Sequence, residues 1–479
     1  MSAVTRAAIV NLGCKVNQSE VDAAAQLLRA RGVTVVGGYD PADLVLVNTC
    51  TVTAEADAKS RAAVRRARRV NPDAEIVVTG CSVQTGRDAF AALDPAARLI
   101  DNRAKDGLLA ELEALVAIPD GPPGPVAGAL PTLSGVELAT AVDDRNVAER
   151  TRAFVKVQDG CSFFCTYCII PTARGPERSL APATVLADVR RALAAGHREI
   201  VLTGINIGTY DGGWSERGPR GSHRAAALTL AGLIRRLLDE TEVERIRLTS
   251  IEPQHVDDEL LGVWRDSAGR CLPHFHLPLQ SGDDGVLRRM GRRYAAAAYA
   301  ATVARVRAAI PGVAIHGDVI VGFPTEDERA WERSVAFIRG IGFAGLHVFR
   351  YSARPGTAAI RMAGPVDEPS KKRRAAELLA LAAEARASFA VAHVGRVVDV
   401  LFENRLHDGR WVGHAEDHVL VAAAGTDLEN AIGRVMIEGI DREVGDRTIG
   451  SIVTLDRPKR QIRRDLPVLT ELLGGARAV

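Results

Sequence analysis

No apolar run in this 479-residue chain approaches the ~20 residues that a bilayer crossing needs, which argues against a membrane span. Met1 to Val10 lacks the charged-then-apolar order of a secretory leader, so a cytoplasmic protein is expected. Net charge is nearly absent, at +2, so any nucleic-acid contact must come from local clusters of charge. Asp318 and Glu326, flanking Val321-Gly322-Phe323-Pro324, read as loop ordering and a helix N-terminus rather than an acid–base pair. Seven cysteines in a reducing compartment make a poor disulfide framework. Their spacing asks for metal instead.

The hydrophobic fraction of 47% suits several globular cores. Residues 1–118 alternate short β-branched runs (Ala7 to Val10, Leu44 to Val47, Ile76 to Val78) with helical stretches such as Ala54 to Val70. That order predicts an α/β domain with a parallel sheet. Residues 119–150 open on Gly121-Pro122-Pro123-Gly124-Pro125 and read as a linker. Residues 151–388 repeat a strand–helix cycle six times, with strands expected at Phe154–Val157, Glu199–Thr203, Arg245–Ser250, Phe275–Leu279, Val313–Val321 and Gly345–Arg350. Six repeats suggest a partial (β/α)6 barrel, open on one side, with a surface insertion at 211–226. Residues 389–455 alternate Val398, Val400 and Phe402 with other residues, predicting a small antiparallel barrel. Residues 456–479 form a basic tail. Lys371-Lys372-Arg373-Arg374 opens a helix and reads as a solvated face.

Cys161, Cys165 and Cys168 fall within eight residues, directly after the first barrel strand. Three thiolates so spaced can wrap one face of a cubic iron–sulfur cluster, and no fourth cysteine is near. One iron is then open to a small molecule, which marks a reactive site. A structural zinc would need a second ligand pair, which the spacing lacks. Phe163, Phe164 and Tyr167 are expected to shield the cluster from water. Cys14, Cys50 and Cys81 each follow the end of an apolar run. If those strands are parallel neighbours, the three converge on the ligand-binding edge of the sheet. One such cysteine reads as a core thiol; three in the same position read as a second open cluster. Cys271 has no partner pattern and is assigned to the core.

With both triads in place, the chain resembles the radical S-adenosylmethionine methylthiotransferase family over almost its whole length. Leu12-Gly13-Cys14-Lys15-Val16-Asn17, Asn48-Thr49-Cys50-Thr51-Val52-Thr53 and Ala173-Arg174-Gly175 are similar to the branch acting on threonylcarbamoyladenosine in tRNA. Ser19 and Thr172 depart from it, standing where relatives often carry an aromatic residue and a tyrosine. The resemblance implies two 4Fe-4S clusters, S-adenosyl-L-methionine, a flavodoxin- or ferredoxin-type electron donor and a tRNA partner. It also implies a C-terminal domain of the TRAM type. The implied chemistry is reductive cleavage of S-adenosylmethionine, hydrogen removal from adenine carbon-2 and insertion of a methylthio group.

By the same resemblance Tyr167 lies by the cofactor's adenine, and Thr203 and Asn206 hold its methionyl part. Ser250 is placed by the ribose, and Gln280 is a further polar contact. Arg288, Arg289, Arg292 and Arg293 are expected to form an electropositive rim for RNA phosphates or a substrate carboxylate. Arg457, Lys459 and Arg460 are expected to give phosphate contacts from the tail, since the C-terminal barrel is poor in aromatics for base stacking. Two other functions stand beside this one: an isopentenyladenosine methylthiotransferase, and a non-catalytic iron–sulfur RNA-binding protein. The second predicts fully ligated clusters and no cofactor cleavage.

Overall fold

The computed structural model describes residues 4–116, 151–213, 228–458 and 462. All of the expected linker, residues 214–226 of the expected insertion, Lys459, Arg460 and most of the basic tail lie outside the described residues.

The N-terminal strands are β1 (Arg6–Asn11), β2 (Thr34–Val36), β3 (Leu44–Thr49), β4 (Glu75–Gly80) and β5 (Arg98–Ile100). All pair parallel, in the order β2-β1-β3-β4-β5. Every residue of β3 is buried, as expected of a central parallel strand covered on both faces. Helices α1 (Lys15–Ala30) and α4 (Leu108–Leu115) cover one face, where Val21 and Leu28 pack with Leu112. Helices α2 (Ala54–Val70) and α3 (Cys81–Leu93) cover the other, where Val64 packs with Phe90. Thr53 starts α2 by accepting a hydrogen bond from the Ala56 N–H.

The next strand, β6 (Ala153–Lys156), opens the barrel and is followed by the two-residue antiparallel pair β7 (Gln158–Asp159) and β8 (Arg178–Ser179). The barrel continues with β9 (Glu199–Thr203), β10 (Arg245–Leu248), β11 (His274–His276), β12 (Ala314–Val321) and β13 (Gly345–Arg350). The parallel sheets β6-β9-β10 and β11-β12-β13 are joined by the bridges Ile246↔Cys271 and Ser250↔His276. Among the described residues β6 and β13 do not pair, so the wall has a lateral gap. The N-terminal domain stands at both lips of that gap. At β6, Lys156 Nζ lies 3.7 Å from Glu20. Beyond β13, the Ala54 N–H donates to Ser352 (2.9 Å), and Arg354 donates to Thr51 and lies 3.7 Å from Asp57.

The C-terminal barrel is closed by β14 (Val397–Arg405), β15 (Trp411–Ala415), β16 (Leu420–Ala423), β17 (Ile432–Ile440) and β18 (Arg447–Asp456). It departs from the expected all-antiparallel form: β16 and β18 run parallel, because β17 lies between them in sequence and pairs antiparallel with β18. This small barrel seals the N-terminal end of the large one. Arg245 donates to the backbone carbonyls of Asp399 and His414, Arg247 to those of Ala415 and Glu416, and Arg152 pairs with Glu403. Glu199 lies beneath, and Arg247, Arg245 and Arg152 hold its carboxyl well below the usual range although burial alone would raise it.

The helix Glu368–Val391 links the two barrels and runs through residue 388. Its basic start is not simply a solvated face. Arg374 is buried and ion-paired with Glu326 at 2.9 Å, and Lys371 lies over the Tyr351 ring. A buried carboxylate that also accepts from the Gly322 N–H needed a cation, and this helix supplies it.

Candidate active site

Cys14 caps α1, Cys50 directly follows β3, and Cys81 is the first residue of α3, so all three sit at the carboxyl edge of neighbouring strands β1, β3 and β4. They are close enough that Cys81 raises the pKa of Cys14, and both Cys81 and Cys14 raise that of Cys50. Burial is the larger cause, and pushes Cys50 up to about 12. The Cys14 thiol is exposed yet deeply surrounded by protein atoms, as a group lining a concavity is. Gly80 makes this approach possible: its φ is +103°, and a Cβ there would sit 2.4 Å from the Thr49 carbonyl oxygen. Asn102 donates to Cys81 Sγ at 3.4 Å.

The tight triad loops over the top of β6. The Cys161 N–H donates to the Gly175 carbonyl (3.1 Å) and the Cys168 N–H to the Cys165 carbonyl (2.9 Å). The Phe163 N–H points at Cys161 Sγ (3.4 Å), and Arg292 donates to Cys165 Sγ (3.5 Å). Gly160, at φ +71°, lets the loop pass where a Cβ would meet the Pro176 carbonyl oxygen at 2.0 Å. Burial pushes Cys168 up to about 12 and raises Cys161. As free thiols these groups hold their protons at neutral pH; a metal would displace them. Both triads offer soft sulfur donors beside cationic arginine, a donor set that fits an anionic iron–sulfur cluster.

Arg174 joins the two halves of the site. It is buried, ion-paired with Asp159 (2.8 Å) and Glu20 (3.2 Å), and it donates to the Asn17 side chain. Its charge lowers the pKa of both Cys14 and Cys50, so it acts on the spread triad from the barrel side. Asn17 also bonds Asn48 and the Thr49 carbonyl, each at 3.0 Å. Sequence reasoning noted Arg174 within a motif but assigned it no role; Glu20, Asp159 and Asn102 it missed, because the partners are 15 to 157 residues apart.

The side-chain hydroxyls of Thr203 and Thr249, and both polar atoms of Asn206, are buried at the ends of β9 and β10 without a protein partner. Such groups cost about 1–3 kcal/mol each unless a ligand satisfies them. They fit the polar methionyl and ribose parts of S-adenosylmethionine. Gln158 accepts from the N–H groups of Ile205 and Asn206 and holds that loop in place. Ser250 is half-buried beyond β10, and Gln280 is buried at φ +68° with its backbone tied to β12. Tyr167 packs edge-on against Phe323 and accepts from Arg292 at 3.4 Å.

Two expectations change here. Arg292 is not on an RNA rim: its side chain is 3% exposed, ion-paired with Glu252 and bonded to Tyr294 (2.9 Å). Arg288, Arg289 and Arg293 remain exposed, the last lying 4.1 Å over the Phe163 ring. Phe164 does not shield the thiols; it is 70% exposed at φ +52°. Arg457 is exposed and donates to the Asp427 carbonyl at 2.8 Å. Cys271 lies in the core.

Inside the large barrel, Ile315, Val319, Phe275 and Leu277 pack outward into the main core, so the alternate residues of β11 and β12 face the lumen. His274 and His316 form its lowest layer and contact His418 of the C-terminal barrel, with ring centroids 4.7 and 5.5 Å away. Burial pushes all three imidazoles well below their usual pKa. The Lys15 ammonium lies near enough to lower both His274 and His316 further. In the layer above, Asp318 accepts from His276 (2.8 Å) and His347 (3.0 Å) through one oxygen. The Asp318 carboxylate therefore orders two histidines, while its backbone carbonyl holds the Leu279 and Gln280 N–H groups (3.1 and 2.7 Å). The two-residue spacing of His316 and Asp318 on one strand was the available signal.

Residues 6–100 match the family described as uncharacterized protein family UPF0004, and residues 155–338 match the radical SAM superfamily. The chain is 35% identical over 433 residues to a threonylcarbamoyladenosine tRNA methylthiotransferase, MtaB, of Bacillus subtilis (strain 168), covering 89% of this chain and 91% of that protein. It is 33% identical over 409 residues to a tRNA-2-methylthio-N(6)-dimethylallyladenosine synthase of Novosphingobium aromaticivorans, covering 85% and 88%. Among solved structures it resembles the radical S-adenosylmethionine methyltransferase TsrM of Kitasatospora setae with cobalamin and a [4Fe-4S] cluster bound. That likeness has a TM-score of 0.51 at 14% identity, covers 74% of each chain, and bears on the fold alone.

Proposed function

The chain belongs to the radical S-adenosylmethionine methylthiotransferase family, and we propose that within it the protein converts threonylcarbamoyladenosine, 3′-adjacent to the anticodon of tRNA, to its 2-methylthio derivative. It is a transferase that modifies tRNA and uses S-adenosylmethionine with two 4Fe-4S clusters. Relatives named for threonylcarbamoyladenosine and for dimethylallyladenosine match it at similar identity, so the substrate choice rests on the site. No helix among the described residues is long and apolar enough to cross a membrane.

In this reading Cys161, Cys165 and Cys168 hold the cluster that binds the cofactor, and Cys14, Cys50 and Cys81 hold the cluster that donates sulfur. When bound, these groups supply the electron, the adenosyl radical and the methylthio group. The chain's own residues position and seal. Thr203, Asn206 and Thr249 give the cofactor hydrogen bonds that they otherwise lack. Arg292, held by Glu252, sets a positive charge beside Cys165 and Tyr167. Arg174 keeps the two triads in one frame and lowers the cost of thiolate charge on the sulfur-donating side. A small electron-transfer protein of the flavodoxin or ferredoxin type delivers the electron, and exposed Arg288, Arg289, Arg293 and Arg457 meet tRNA phosphates.

The observation that carries the substrate choice is Lys15. It follows a proposed cluster ligand directly, and its charge reaches the lumen-facing histidines. A cation there suits the carboxylate of a threonylcarbamoyl tail, a group that an isopentenyl tail does not carry. The test is purified, reconstituted enzyme with tRNA carrying either modification, followed by mass spectrometry of the nucleosides. Methylthio product is expected on threonylcarbamoyl tRNA. Product on isopentenyl tRNA alone overturns the substrate choice.

A further inference from the structure

The floor of the large barrel is where His274 of β11, His316 of β12 and His418 of the C-terminal barrel meet. We propose that these three imidazoles bind one zinc ion, which ties the two barrels together.

His274 is 6% exposed, and both of its ring nitrogens are buried without a hydrogen-bond partner among the described residues. Other histidines of the chain are satisfied. His197 bonds the Thr151 carbonyl (2.9 Å), His393 lies against Asp417 and the Phe389 carbonyl, and His414 against Glu403 (2.7 Å). In the layer above the floor, His276 and His347 already share Asp318. A neutral imidazole carries one lone pair and one N–H, and a buried nitrogen left unmatched costs about 1–3 kcal/mol. A metal ion is a partner for the lone pair.

The geometry around His274 is that of a ligand set. One ring nitrogen from each of the three residues lies within 4.8 Å of the others. Ring centroids are 4.7 Å apart for His274–His316 and for His274–His418, and 5.5 Å apart for His316–His418. Imidazoles on one zinc, with Zn–N about 2.0–2.1 Å and near-tetrahedral angles, have centroids about 5 Å apart. The third ligand is held in place by the fold. His418 stands in the turn between β15 and β16 at φ +78°, a left-handed conformation uncommon outside glycine, and its N–H donates to the Ala415 carbonyl (3.0 Å). Arg247, from the large barrel, donates to the Ala415 and Glu416 carbonyls and fixes that turn to the floor.

The chemistry of the donors selects the metal. Burial, ahead of any neighbouring charge, pushes all three imidazoles well below their usual pKa, so protons do not compete for the lone pairs at neutral pH. Magnesium and calcium take oxygen ligands, whereas neutral nitrogens suit zinc, which accepts three histidines and keeps a fourth position for water. His418 retains partial exposure, which leaves room for that water. Arg247 and Lys15 add positive charge near the site. Against it stand Glu199, paired with Arg247 at 2.8 Å, and Glu403, which holds His414 with its ring 4.4 Å from that of His418.

The test uses the full chain with both clusters reconstituted, incubated with one equivalent of zinc sulfate and desalted. About one zinc per chain is expected. Its K-edge X-ray absorption should show a nitrogen or oxygen shell at about 2.0–2.1 Å and no sulfur at about 2.3 Å. H418N, which keeps a side chain tolerant of a left-handed backbone, and H316Q should each lose most of the zinc, with iron content and cluster absorbance as folding controls. Zinc should raise the melting temperature of the wild type and leave that of H418N in place. No zinc retained by the wild type, a sulfur shell placing the ion on a cysteine triad, or undiminished zinc in both variants overturns the site. Bound zinc that leaves the wild-type melting temperature unmoved overturns its role as a tie between the barrels.

Discussion

On the proposed reading, single substitutions separate the roles of the two triads. Only the tight triad lies at the top of the barrel, beside the partnerless polar atoms of Thr203 and Asn206. Cys165→Ala should therefore abolish 5′-deoxyadenosine formation under anaerobic reduction. Cys50→Ala should retain uncoupled cleavage and lose methylthiolated product; a Cys50→Ala enzyme that still thiolates removes the sulfur-donating role from that triad. Arg174 is the residue whose loss reaches furthest. Replacing it by Met leaves Glu20 and Asp159 without their shared cation, although Lys156 stays near both. Breaking one partner out of a buried ionic network typically costs about 3–5 kcal/mol. A lowered melting temperature is expected for Arg174→Met, with little recovery in Arg174→Lys, since a compact ammonium lacks the spread of the guanidinium fork that spans Asn17, Glu20 and Asp159. An unchanged melting temperature would mean that water already shares those contacts.

At the level of elements, the end of the helix Glu368–Val391 carries a titrating lock on the C-terminal barrel. His393 lies 2.5 Å from Asp417 and bonds the Phe389 carbonyl at 2.7 Å. Burial and Arg396 lower its pKa, Asp417 and that carbonyl raise it, and the net direction is upward. A raised folded-state pKa means stability that is complete below the unfolded value of about 6.5 and is lost as pH rises through the folded value. Urea unfolding should thus show a lower midpoint above that window than below it, and His393→Asn should flatten the difference. The C-terminal barrel also caps the charged layer of Arg152, Glu199, Arg245 and Arg247. Removing residues 389–479 would bare that layer, so the truncation weakens the large barrel itself and cannot serve as a clean test of RNA binding.

For the whole molecule, RNA contact is better tested with exposed cations. Arg288, Arg289 and Arg293 lie on the tight-triad side, where Thr166 bonds the Arg289 and Met290 carbonyls, while Arg457 lies at the far end on the C-terminal barrel. Each phosphate contact removed should weaken tRNA binding across sequences and lower the log–log salt slope by about 1. The triple variant R288A/R289A/R293A is expected to flatten the slope in a binding titration, and Arg457→Ala to flatten it less. An unaltered slope in both would place the RNA on another face. Arg292 belongs to neither set, since its charge is already spent on Glu252.

What the sequence by itself determined is local. Short β-branched runs followed by turns put Cys14, Cys50 and Cys81 at strand ends, and the Cys161–Cys168 spacing made a loop that can wrap a cluster, because both depend on residues adjacent along the chain. Six strand–helix cycles were legible for the same reason. Only the tertiary structure decided which cations are buried. Arg292 and Arg374 look like surface charge in sequence and become core charge because Glu252 and Glu326, 40 and 48 residues away, need them. It alone decided that Arg174 ties the domains together and that the C-terminal barrel forms the floor of the large one. It alone set His276, Asp318 and His347, from three strands, around one carboxylate oxygen. Periodicity tells which face of a strand a side chain occupies; what it meets there depends on pairing across the barrel, and the energy of that pairing exists only once the chain has closed.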